Sequence, residues 1–207
     1  MAIDAGVKLV ELDLKTIQLK LEGISPLIIH RFSEKAKKQM LDKMLGKASK
    51  GKAPKDPVAE YEAAYHRLPD GSPGFPVVGI KAAAVTAVTS LGKQFTKVAA
   101  RQAFHILHDK KGGELGEVHY PHDCPPYMRE DMVRVGIEQA DMRYRPEFLR
   151  WGMIIRVQYN ERAISQEVLV NLINLGGFSV GLGEHRPERD GDNGRFQVVS
   201  HFSWEKK

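Results

Sequence analysis

Residues 7–21, VKLVELDLKTIQLKL, alternate apolar and polar side chains, the two-residue period of a strand with one buried face. Val10, Leu12 and Leu14 share one parity, and Ile17, Leu19 and Leu21 share the other. The phase therefore flips near Lys15–Thr16, as at a bulge or a strand break. This strand is the first of a series. FPVVGIKAAAVTAVTSLGK (75–93) reads as a short extended piece and then a helix, with Ile80, Ala84, Val88 and Leu91 on one side and small alanines for close packing. MVRVGIEQ (132–139) and WGMIIRVQYN (151–160) read as strands. Ser165 caps a helix with the stripe Val168, Leu169, Leu172 and Leu175, which Gly176–Gly177 are expected to stop. RFQVVSHFSW closes the chain as a last strand. The order is β-α-β-β-α-β, an α+β, ferredoxin-like or RRM-like core in which two helices cover one face of a four-stranded sheet. The other face is expected to be open.

Two long segments interrupt that core, at 24–74 and 93–130, and the whole of 1–207 is expected to form one domain. In the first, Ser33 caps a helix over 34–45 with the stripe Met40, Leu41, Met44 and Leu45. Asp56 and Pro57 start a second helix, which PDGSPG (69–74) ends. In the second, 94–108 continues as a helix with Phe95, Val98, Ala99 and Ile106 inward, and 113–126 reads as a loop or hairpin.

Charge is unevenly spread. The chain holds 31 Lys+Arg and 26 Asp+Glu, a net +5. From Arg31 to Lys55, nine basic residues face only Glu34 and Asp42. Such a patch can track a phosphate backbone, since each neutralised phosphate releases a counterion; a solvated helix face has the same composition. No apolar run approaches a membrane span, the acidic N-terminus is unlike a signal peptide, and the single Cys124 excludes an internal disulfide. A cytoplasmic protein with no membrane partner is the expectation.

The segment after the second core helix carries Gly176, Gly177, Gly181, Gly183, Glu184, His185, Arg186, Pro187, Arg189, Gly191, Gly194 and Arg195. It is not a P-loop, since no Gly-Lys-Ser/Thr follows, and it lacks the third glycine of a dinucleotide fingerprint. Glycines permit close backbone approach, free amides can hold phosphate oxygens, and the arginines add charge. In RYRPEFLRW (143–151), arginines interleave with aromatics. Phe148 and Trp151 are expected inside, Arg143 and Arg145 on a binding surface. His119, His122 and Cys124, with His105 and His108 upstream, have ligand-like spacing, but no Cys-x-x-Cys pair and a proline-stiffened loop; no metal or other cofactor is expected.

A glycine-rich, arginine-containing loop directly after the second helix of a β-α-β-β-α-β chain resembles the RAMP superfamily, which includes the backbone subunits of CRISPR effectors. FPVVGIKAAAV (75–85) resembles that family's lead into its first helix, with Lys81 at its basic position. SPLIIHRF, RPEFLRW and GLGEHRPE…GRF resemble a group of phage-encoded proteins of this kind. The resemblance implies a non-enzymatic module that polymerises along single-stranded RNA, cradles its backbone and splays bases with an inserted hairpin; single-stranded DNA is the other candidate strand. Homo-oligomers or filaments, and contact with CRISPR effector subunits, are the implied partners. The implied contacts are Lys81, Gly181, Gly183, Arg186 and Arg195. Charge adds Arg31, Lys35, Lys37, Lys38, Lys47, Lys50 and Lys52, and the loop and aromatic runs add His185, Arg189, Arg143 and Arg145. Two alternatives accompany this reading. One is a metal-independent endoribonuclease with His30 or His185 as base. The other is a mimic of a CRISPR subunit that acts through protein contacts.

Overall fold

A computed structural model describes residues 11–47, 54–92, 95–107, 113–135 and 139–205. The first strand, β1, runs Leu14–Gly23 and turns Ile17, Leu19 and Leu21 inward. Leu12 and Leu14, on the other side of the expected phase flip, are exposed. Val10 lies outside the described residues.

The core follows the expected order with one substitution. After β1 come α3 (Val78–Ala87), β5 (Phe104–Leu107), β9 (Gly152–Asn160), α5 (Gln166–Ser179) and β10 (Phe196–Val199). The spatial order is β10-β1-β9-β5 with every pair antiparallel, the fourth-first-third-second arrangement of a ferredoxin-like sheet. The second core strand is therefore 104–107, not 132–139. Its four residues FHIL follow directly on α4 (Lys97–Ala103), so they read as that helix's last turn. Phe104 and Ile106 fill the core while His105 points outward.

Between β1 and α3 the chain forms β2 (Leu27–Ile28), α1 (Glu34–Met44), α2 (Pro57–Ala63), β3 (His66–Arg67) and β4 (Pro73–Pro76). Ser33 Oγ caps α1 through the Ala36 N–H, and Asp56 caps α2. Strand β6 (Leu115–His119) joins β9 to β4 and β3, extending the sheet. A second sheet consists of β2, β8 (Gln139–Phe148) and β7 (Tyr127–Val135), the last two forming a long hairpin. Residues 132–135 belong to that hairpin, pairing with 139–142.

Helices α3 and α5 pack on one face of the main sheet, over Leu19, Leu21, Met153, Ile155, Val157 and Phe196. The glycine pair sits inside α5 instead of stopping it. A Cβ at Gly176 would stand 2.7 Å from the Ala84 backbone N of α3, so its absence lets the two helices meet backbone to backbone. Each fully buried aliphatic side chain of this core, such as Leu172 or Ile173, contributes about 1.5–3 kcal/mol. Trp151 is fully buried and donates to the Ser25 carbonyl at 2.8 Å, which fixes the chain leaving β1. Among the described residues no helix is long and apolar enough to cross a membrane.

Candidate nucleic-acid interface

Beyond α5 the backbone turns back on itself. Leu182 N–H donates to Gly194 O, Gly194 N–H to Pro26 O, and Glu184 N–H to Ile28 O, so residues 181–195 are stapled to the segment 26–28. Gly183 has φ +72°, and a Cβ there would collide with the Ile28 carbonyl. His185 also takes a left-handed conformation, at φ 52°. A left-handed residue in a turn can free neighbouring amides for an acceptor outside the protein. The N–H groups of Gly183, His185 and Arg186 have no protein acceptor among the described residues.

Side chains frame this turn. Arg186 donates through Nε and Nη2 to Glu188 Oε2, at 3.1 and 2.8 Å, and through Nη1 to Gly183 O at 3.1 Å. Arg189 and His185 are exposed, and Arg189 has no side-chain partner among the described residues. Arg195 Nε donates to Asp192 O. Gly181 is buried against Pro187. Across 181–195 three arginines meet four carboxylates (Glu184, Glu188, Asp190, Asp192). The loop's capacity for anions thus lies in its amides and in arginine geometry, not in net charge.

Arg145 is not at a surface. It is 1% exposed, donates to Asp131 Oδ2 at 2.6 Å, and places Nη1 3.3 Å from Glu184 Oε2. Arg129 holds Asp131 and Glu147 together, and Tyr127 donates to Glu147. These residues share one face of the β7–β8 hairpin, so their ion pairs tie the hairpin base to the glycine turn. His30 Nδ1 completes the junction, 3.4 Å from Glu184 Oε1. The hydrogen bond to His30, reinforced by the charges of Arg145 and Arg143, holds the Glu184 carboxyl below its usual range. For Asp131, burial pushes upward, and the hydrogen bonds from Arg129 and Arg145 outweigh it and hold it low. Arg143 stays partly exposed on the same hairpin face. Phe148 and Trp151 are inside as expected, Phe148 against Tyr65 and Tyr120.

The basic helix grows from this junction. Arg31 and Lys37 both bond Glu34, at 2.9 and 2.8 Å, Lys47 reaches Asp42 at 3.3 Å, and Lys38 is exposed. The Lys35 side chain and all of Lys50 and Lys52 lie outside the described residues. The stripe Met40, Leu41, Met44 and Leu45 is exposed, Met44 at 79%. Lys81 is elsewhere: it donates to Arg101 O at 2.9 Å and lies against His105 and Phe104, on the side of α3 facing β5. Burial lowers its amine's pKa. Lys81 is therefore not gathered with Arg186, Arg189 and Arg195.

The sheet face away from the helices is only half open. The C-terminal residues fold back across one end. Phe202, 4% exposed, stacks on Trp204; Glu205 pairs with Lys20 at 2.7 Å; and the Ser203 N–H donates to Glu22. Thr16, Gln18 and Arg156 remain exposed at the other end. Arg156 and Gln18 are register partners there, a polar pair that sequence reasoning missed because each looks like an ordinary outward strand residue. The described outward residues of these four strands include no Phe, Tyr or Trp, so this face offers amide and guanidinium contacts instead of ring stacking. Glu184 and His30 were also missed as a pair. Among the described residues no group of three His, Cys, Asp or Glu is placed to hold a metal; His119 lies near Glu117, and Cys124 is partly exposed.

No family model matches the sequence, and no curated protein matches it. Among solved structures the chain is similar to Cmr6 from Pyrococcus furiosus, at a TM-score of 0.43 and 10% identity, covering 91% of this chain and 100% of that one. The ferredoxin-like assignment stands on the strand order and pairing above.

Proposed function

We propose that this chain binds single-stranded nucleic acid through its phosphate backbone, at the junction of the glycine turn, the hairpin base and the root of α1. The observation that carries this reading is the set of unpaired amides at Gly183, His185 and Arg186. They sit beside the exposed cation of Arg189. Oriented amides and arginine donors suit a phosphate oxygen, and the lysines of α1 add contacts that need little geometry. The half-open polar sheet face provides room for a strand but not for ring stacking. The RAMP resemblance favours RNA over DNA and a binding module over a nuclease. Self-association along the strand belongs to the same reading, and the exposed stripe of α1 supports it.

Fluorescence titration of labelled single-stranded RNA, single-stranded DNA and duplex, each at two salt concentrations, tests this. The expected result is tighter binding to single strands, weakening steeply with salt, with RNA recovered intact. Affinity indifferent to salt, or preference for duplex, overturns it.

A further inference from the structure

We infer that the hollow between α3 and the glycine turn receives one guanine base of the bound strand; this rests on the reading above. The hollow has a volume of about 220 Å³. That is below the roughly 300 Å³ at which pockets for drug-sized ligands begin, and it fits a fragment such as a single base. Its walls hold the Phe75 ring, the methyls of Ala82 and Ala83, and Leu182, with the Thr86 side chain beside them. Its rim is polar: Arg186 and Glu188.

The rim has hydrogen-bonding capacity to spare. A guanidinium carries five N–H donors, and Arg186 uses three, on Glu188 Oε2 and Gly183 O. Glu188 Oε1 accepts nothing among the described residues. Donors and an acceptor thus stand side by side. Guanine presents the complement, with O6 and N7 accepting from arginine and N1–H donating to a carboxylate. Its flat faces suit walls of ring and methyl groups. A phosphate in the same hollow would meet the Glu188 charge, and an aliphatic side chain would leave the spare Arg186 donors and Glu188 Oε1 unused. Gly183 and Arg186 line the hollow and also carry the unpaired amides, so a phosphate held outside delivers its own base inward.

The test is titration of short RNA of alternating U and G, alternating U and A, and an abasic strand of equal length. Each is run on the wild-type protein and on Ala82→Phe. Ala82 is exposed, so a phenyl ring there fills the hollow without entering the core; a thermal melt checks that folding is kept. The wild type should bind the U/G strand about tenfold tighter than the abasic strand. It should also prefer U/G to U/A, and Ala82→Phe should lower only the base-dependent part. Equal affinity for U/G and U/A overturns the guanine assignment. Equal affinity for U/G and abasic strands, or no effect of Ala82→Phe, overturns the pocket and leaves the backbone reading standing. Failure to bind any strand overturns both. If Ala82→Phe does not fold, the three wild-type affinities decide alone.

Discussion

Arg145 on β8 and Asp131 on β7 meet at 2.6 Å with the guanidinium sealed from solvent, and the same arginine reaches Glu184 of the glycine turn. One buried cation therefore fixes the angle between hairpin and turn. Removing it takes one partner from Asp131, which Arg129 still holds, and one from Glu184, which is partly exposed beside His30. Arg145→Met is expected to lower unfolding stability by about 1.5–3 kcal/mol, the range for lost hydrogen bonds to charged groups, read by urea denaturation. Because Arg145 faces no solvent, any loss of affinity in that variant should follow the loss of fold, with the salt dependence of the folded fraction unchanged.

Acid should loosen the same junction. Glu184 and Asp131 both have folded pKa values depressed below their ordinary ones. A depressed carboxyl gives stability that is complete above its unfolded pKa and is lost as pH falls through its folded pKa. The junction's contribution to stability should thus begin to fall near pH 4.5 and continue falling below it. Glu184→Gln should flatten part of that decline. A melting profile that is unchanged between wild type and Glu184→Gln across the acid range contradicts the assignment.

Gly176 tests the core. With a would-be Cβ 2.7 Å from the Ala84 backbone N, any side chain must part α3 from α5. Gly176→Val should cost roughly 1–3 kcal/mol or more in chemical denaturation, as overpacking does. A neutral result would show the helices free to separate.

The fold was legible where periodicity is long. The strand at 151–160 and the helix after Ser165 show their buried stripes directly, and they give the ferredoxin-like order. β5 was not legible, because four residues behind a short helix carry too little pattern to break a helical period. The glycine pair in α5 read as a stop because only the neighbouring helix explains it. Arg145 read as a surface residue because its partners come from distant parts of the chain, and arginine between aromatics looks the same in either setting. The glycine turn was legible as a phosphate candidate, but its separation from Lys81 needed three dimensions.

A framed contact should outweigh a loose one. Arg186 is held in place by Glu188 and Gly183, whereas Lys50 lies in a stretch of lysines and glycines. Arg186→Ala should weaken strand binding several-fold more than Lys50→Ala, measured by anisotropy at fixed salt. Equal losses would place the affinity in charge alone.

Amide NMR reads the backbone N–H groups of Gly183, His185 and Arg186 one by one. On titration of ¹⁵N-labelled protein with single-stranded RNA, the resonances of Gly183, His185 and Arg186 should shift most, and added salt should reverse the shifts. Shifts that spare these three while others move would contradict the account.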